Sequence, residues 1–139
     1  MVGWHLCRGG AALSPDDIRR VLALGTPLAR FAIDCNRTAM EAYRVQTGET
    51  GISLPDPVAM SVALDPTIVT SASDHWVEIE VASSLTRGMT VVDRLGVAAD
   101  ERNRAEWTPL TGHARKTRVC WTIDAPRWKQ LLVAVLARV

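Results

Sequence analysis

The sequence predicts an α/β fold containing a β-hairpin, on three observations. Proline-led helix openings recur at Ser14-Pro15-Asp16-Asp17, Thr26-Pro27 and Pro55-Asp56-Pro57. Between Trp76 and Val81 the apolar residues change from helical spacing to strict alternation, the signature of a half-buried strand. Asp124-Ala125-Pro126 then opens a last helix with Trp128, Leu131, Leu132, Val135 and Leu136 as its inward side.

In order along the chain, the apolar segment Val2 to Cys7 reads as a buried strand starting at the first residue. Ser14 caps the next helix, Pro15 takes its first position and Asp16 and Asp17 face the positive end of its dipole; Ile18, Val21, Leu22 and Leu24 are apolar and Gly25 stops it. From Thr26-Pro27, the residues Leu28, Phe31, Cys35, Ala39, Ala42 and Tyr43 mark one face of what reads as the longest helix. Thr47 to Ser53 is a surface loop with two glycines, leading to Asp56. Asp56 sits between two prolines at a helix mouth, where its carboxylate suits an N-cap, and that helix ends near Asp65-Pro66. The hairpin pairs Trp76–Val81 with Met89–Val92 through a turn at Thr86-Arg87-Gly88. The polar stretch 94–116 shows no sustained period and reads as a long loop, and Arg118 to Ile123 alternates as a last strand.

Composition narrows the function classes. The chain has 139 residues, 47% of them apolar, so one domain-sized unit with an ordinary core is expected. Sixteen basic against fifteen acidic residues give +1, without the positive surplus of a nucleic-acid or membrane-surface binder. The longest apolar run, Leu131 to Ala137, is too short for a bilayer, and a cytoplasmic, soluble protein is expected. Cys7, Cys35 and Cys120 have no zinc or disulfide spacing and read as buried, reduced thiols. His5, His75 and His113 lack partners at metal or triad spacing; Trp107 and Trp121 read as core.

Three segments, Leu54-Pro55-Asp56-Pro57-Val58-Ala59-Met60 through Asp65-Pro66, Leu85-Thr86-Arg87-Gly88 through Asp93, and Val119 to Val133, in this order resemble the C-terminal part of the inosine/uridine-preferring nucleoside hydrolases. Val2 to Arg8 and Asp34-Cys35-Asn36-Arg37 are similar to the family as well, so the resemblance covers nearly the whole chain, though less than half of the family domain. It implies the C-terminal portion of a Rossmann-like α/β sandwich, with helices on a small mixed sheet. It also implies hydrolysis of the N-glycosidic bond of ribonucleosides with the help of Ca²⁺, a hard cation that takes six to eight oxygens.

The resemblance assigns Asp56 as a calcium ligand and puts Tyr43, Arg44 and Arg37 in the region that meets the nucleobase, with Asn36 a candidate for ribose. Read from the residues alone, Tyr43 is a core-edge aromatic, Arg44 and Arg37 lie on a solvated helix face and Asn36 is a cap. Two departures accompany it. Where many relatives carry a histidine before the aspartate this chain has Pro55, which cannot protonate a leaving base, and the family's DxDxxxDD cluster does not occur. The expectation is therefore a C-terminal fragment, from a truncated gene, a split enzyme or a misplaced start. Alone it would bind calcium weakly or not at all and be inactive, its partner being the missing N-terminal half or a second copy. The alternative is a non-catalytic remnant or interaction module that pairs through an exposed sheet edge or apolar helix faces.

Overall fold

The computed structural model describes residues 1–103 and 116–138. His113, Trp107 and most of the expected 94–116 loop lie outside them; within residues 94–103 there is a 3₁₀ turn, Val97–Ala99. Helices α1 (Pro15–Leu22), α2 (Pro27–Asp34), α3 (Arg37–Thr47), α4 (Pro55–Leu64) and α5 (Ala125–Leu136) accompany strands β1 (Val69–His75), β2 (Val77–Ile79), β3 (Thr90–Val92) and β4 (Thr117–Ile123). This is the α/β mixture the sequence predicts. β1 pairs with β4, and β2 with β3. The chain divides into two compact units, Val2–Ser71 with Trp121–Val139, and Met1 with Ala72–Cys120.

The first unit is helical, and its core is organised on α5. Trp128 is fully buried and its indole Nε1 donates to the Ala11 carbonyl at 2.9 Å, so its polar atom is satisfied inside the apolar contact. Leu13, Val21, Val58 and Ile68 are buried in the same unit. α4 packs against α5 and against the 3₁₀ turn Trp4–Cys7, and α1 packs against α2. Thr26 accepts the Ala29 N–H at 3.1 Å and donates its hydroxyl to the Leu136 carbonyl at 2.6 Å, so one side chain caps α2 and satisfies the end of α5. Leu13 and Ile52 exchange backbone hydrogen bonds of 2.9 and 3.0 Å, which tie the entry of α1 to the loop before α4. Gly51 lies beside this bridge at φ +126°, and a Cβ there would fall 2.4 Å from the Leu13 carbonyl oxygen.

Four expectations are corrected here. Val2 to Cys7 is not a strand: Met1 pairs with β4, its amino group donating to the Arg118 carbonyl and its own carbonyl accepting from the Cys120 N–H, after which the chain coils into Trp4–Cys7 and leaves Trp4 exposed. The long helix from Thr26 is two helices, and the longest among the described residues is α5. The break falls at Cys35-Asn36, where the Asn36 side-chain amide donates to the Ala32 carbonyl at 2.8 Å and competes with the helical ladder. The expected apolar face breaks with it. Leu28, Phe31 and Cys35 are exposed, whereas Ala29 and Ile33 are buried. Finally, Val135 of α5 is exposed beside buried Trp128 and Leu136.

In the second unit, β2 and β3 pair antiparallel with Val77 opposite Val92, Glu78 opposite Val91 and Ile79 opposite Thr90, which is the expected hairpin. Gly88, at φ +86°, supplies the turn conformation that a side chain would resist, and Arg87 beside it is exposed. β1, with the polar sequence Val-Thr-Ser-Ala-Ser-Asp-His, is a strand the sequence reading did not contain. Thr70 meets Thr122 hydroxyl to hydroxyl at 2.7 Å and Asp74 meets Arg118 at 3.8 Å, which fixes β1 and β4 in opposite directions.

Candidate metal and substrate site

α4 begins one residue before the expected cap. Pro55 occupies the first helical position and Leu54 is the N-cap without a side-chain hydrogen bond, so Asp56 belongs to the first turn and does not cap it. The reason is local: a capping oxygen has to stand outside the first turn to reach its N–H groups, and Pro57 removes one of those donors altogether. Asp56 is exposed at the positive end of α4, while Ser61, half-way along the helix, returns its hydroxyl to the Pro57 carbonyl at 2.7 Å. Among the described residues no three His, Cys, Asp or Glu side chains converge to hold a metal ion. One carboxylate does not replace the hydration shell of a divalent cation, so these residues do not by themselves fit a calcium site.

Tyr43 and Arg44 lie on α3. The Tyr43 hydroxyl donates to Glu49, and that hydrogen bond, with some burial and the carboxylate's charge, raises the phenol's pKa above its usual value. Tyr43 lines a cavity of about 400 Å³ with Leu13, Ser14, Gly48 and Thr50. Arg44 is bound to Glu41 at 2.6 Å and borders a different cavity of about 410 Å³ with Ile18, Arg37, Met40 and Gly51. Asp56 lines neither cavity. Arg37 is bound to Asp34 at 2.7 Å, and Asn36 is engaged at the break between α2 and α3.

The two described histidines, His5 and His75, have local partners. The His5 ring faces Trp121 at 6.4 Å between centroids. His75 Nδ1 is 2.8 Å from the Asp93 carbonyl oxygen and Nε2 is 2.8 Å from the Ser73 hydroxyl.

Two carboxylates outside the expected metal and substrate site are engaged by the fold. Asp17 receives the Ser14 N–H at 3.0 Å, the Ser14 hydroxyl at 2.9 Å and the Lys129 ammonium at 2.7 Å. Burial opposes its charge, but these hydrogen bonds and the lysine charge outweigh burial and hold its pKa at about 2. Asp93, 6% exposed, accepts the Val97 N–H at 2.8 Å and the Ala98 N–H at 3.0 Å. Burial again works against the charge, and these backbone donors with the neighbouring His75 bring its pKa below the ordinary carboxylate value. The signal for Asp93 was its place at the end of an apolar strand before Arg94-Leu95-Gly96, a turn-forming context.

The model of the inosine-uridine preferring nucleoside hydrolase family matches residues 1–130. The chain belongs to this family. Pyrimidine-specific ribonucleoside hydrolase RihA of Shewanella sp. (strain ANA-3) is 34% identical over 128 residues, which are 91% of this chain and 36% of that protein. RihA of Enterobacter sp. (strain 638) is 30% identical over 129 residues, or 92% of this chain and 37% of its own length. Among solved structures, an inosine-guanosine nucleoside hydrolase superposes with a TM-score of 0.73 at 20% identity, covering 99% of this chain and 38% of its own. A plant nucleoside hydrolase, PpNRh1, gives a TM-score of 0.78 at 16% identity and covers 94% and 38% respectively. The fold is that of a nucleoside hydrolase, and the chain spans little more than a third of the length of the relatives it matches.

Proposed function

We propose that this chain is the C-terminal portion of a calcium-dependent ribonucleoside N-ribohydrolase, in which Asp56 supplies one of several metal-ligating carboxylates. The observation that carries the reading is the family match over residues 1–130 together with an exposed Asp56 that caps nothing. Tyr43 and Arg44 are the candidates for contact with the nucleoside. Stacking suits a phenol ring, and a guanidinium already paired with Glu41 offers its remaining N–H groups to ribose or base. Alone the chain is inactive, because the other anionic ligands lie outside it. A homologous N-terminal portion, or a further copy, is the partner that completes it.

The test is release of reducing sugar from inosine and uridine in millimolar-range calcium. The isolated chain is expected to give none. Turnover that disappears in Asp56→Ala would show that a sufficient metal site exists within these residues. A second reading, a non-catalytic interaction module, is favoured by the apolar side chains that α4 exposes.

A further inference from the structure

We infer that a cavity at the base of the hairpin binds a small planar anion of the nucleoside monophosphate class, with Lys116 on its phosphate and the Trp76 ring against its base. The inference goes beyond the proposed function and does not depend on it. The end of β1, the start of β2, the turn after β3 and the start of β4 meet around a volume of about 370 Å³ whose lining includes Asp74, His75, Trp76, Asp93, Arg94 and Lys116. The fold holds these walls. The Trp76 carbonyl accepts the Asp93 N–H at 2.9 Å, and the His75 ring spans from the Ser73 hydroxyl to the Asp93 carbonyl, 2.8 Å from each. The volume is near the lower end for small-molecule pockets, which fits one nucleotide.

The ligand class follows from which charges are already matched. The Asp93 carboxylate is taken up by the Val97 and Ala98 N–H groups, and Asp74 has Arg118 at 3.8 Å, so both acids of the lining are answered. Lys116 is different. It is exposed, and its ammonium stands 5.9 Å from the centre of the Trp76 ring, close to the outer limit of a cation–π contact. Such a contact is weak at an exposed site, and a phosphate oxygen makes a stronger, charge-assisted bond to the same ammonium. Cations beside other cavities have no such vacancy for a ligand: Lys129, Arg37 and Arg44 each have a carboxylate oxygen within 2.7 Å. Arg94 brings a second cation to the lining. The half-buried Trp76 supplies the other part of the recognition, a flat wall on which any base stacks. A neutral nucleoside would use the ring and leave the ammonium unused, and free phosphate would do the reverse.

The experiment titrates the isolated chain with uridine monophosphate, by calorimetry and by the indole N–H resonances, with Trp76→Phe assigning the Trp76 signal. The expected result is saturable one-to-one binding that shifts the Trp76 indole and is about tenfold tighter than for uridine or inorganic phosphate, each of which lacks one of the two contacts. Lys116→Met should weaken binding about tenfold, and Trp76→Phe, which keeps a smaller ring, by less. Because Lys116 is exposed, Lys116→Met should keep the wild-type melting temperature, so its loss of binding reads the ammonium and not the folding. Arg30→Gln, on the exposed side of α2, should bind as wild type does. Added salt should weaken the complex, since the pair it screens lies at the surface. The inference is overturned by no saturation in the millimolar range, by uridine or phosphate alone binding as tightly as the monophosphate, by a shift at another indole in place of Trp76, or by an affinity unchanged in Lys116→Met.

Discussion

Asp17 and Asp56 both sit in the first turn of a helix opened by proline, and the fold treats them oppositely. Ser14-Pro15-Asp16-Asp17 gives a reciprocal capping box: the Asp17 N–H donates to the Ser14 hydroxyl at 3.2 Å while the Asp17 carboxylate takes the Ser14 N–H and the Lys129 ammonium of α5. Leu54-Pro55-Asp56-Pro57 offers neither a capping side chain nor a cation, and Asp56 is left toward solvent. One carboxylate is used by the structure and the other is available to a ligand. The difference comes from two positions, a serine against a leucine at the cap and an N–H-bearing residue against Pro57 at the third helical position.

The contrast breaks most visibly on stability. Asp17→Ala should lower the unfolding free energy by about 2–3 kcal/mol in urea, because the carboxylate half of the capping box is lost and Lys129 is left half-buried without its anion. If Asp56→Ala costs as much, the two sites are not different in kind. Asp93→Ala should cost about 1–2 kcal/mol through the unpaired Val97 and Ala98 N–H groups.

The pH dependence sharpens the same point. The folded-state pKa of Asp17, about 2, is below its unfolded value, so its stabilisation is complete above about pH 4 and is lost as pH falls toward 2. That segment of the stability profile, about 2 kcal/mol, should flatten in Asp17→Asn and persist in Asp56→Asn. Smallest of all, Asp56→Ala should move the melting temperature by no more than about 2 °C. Calorimetric titration of the isolated chain should give the same weak or undetectable calcium uptake with and without Asp56.

What was legible in the sequence was whatever local chemistry dictates. Ser14-Pro15 specified α1, Asp65-Pro66 ended α4, the alternation from Trp76 specified the hairpin, and Asp124, which accepts the Arg127 N–H at 3.0 Å, opened α5. The misread features depend on competition or on partners distant in sequence. Apolar spacing across Cys35 and Asn36 continues smoothly, so it does not register the Asn36 amide that ends α2. β1 is polar on both sides, and its pairing with β4 is what makes it a strand. Asp56 stood out by its two prolines, but the cap it appeared to offer is excluded by where the helix starts. The family resemblance led to the expectation that Asp56 is a ligand, and the structure places Tyr43 and Arg44 beside cavities that do not include it.

The Leu13–Ile52 bridge has a consequence for evolution by insertion and deletion. Residues 48–50 follow α3 and turn through Gly48 before the bridge, so a change of length there would be absorbed by the loop with little effect downstream. Only Ser53 and Leu54 separate the bridge from α4, and Gly51 beside it has no room for a methyl group. A residue gained or lost at 53–54 would rotate the start of α4 by roughly 100° and turn its first carboxylate away from wherever it now points. Across homologous genes, gaps should therefore accumulate before residue 51 and be scarce between 51 and 55.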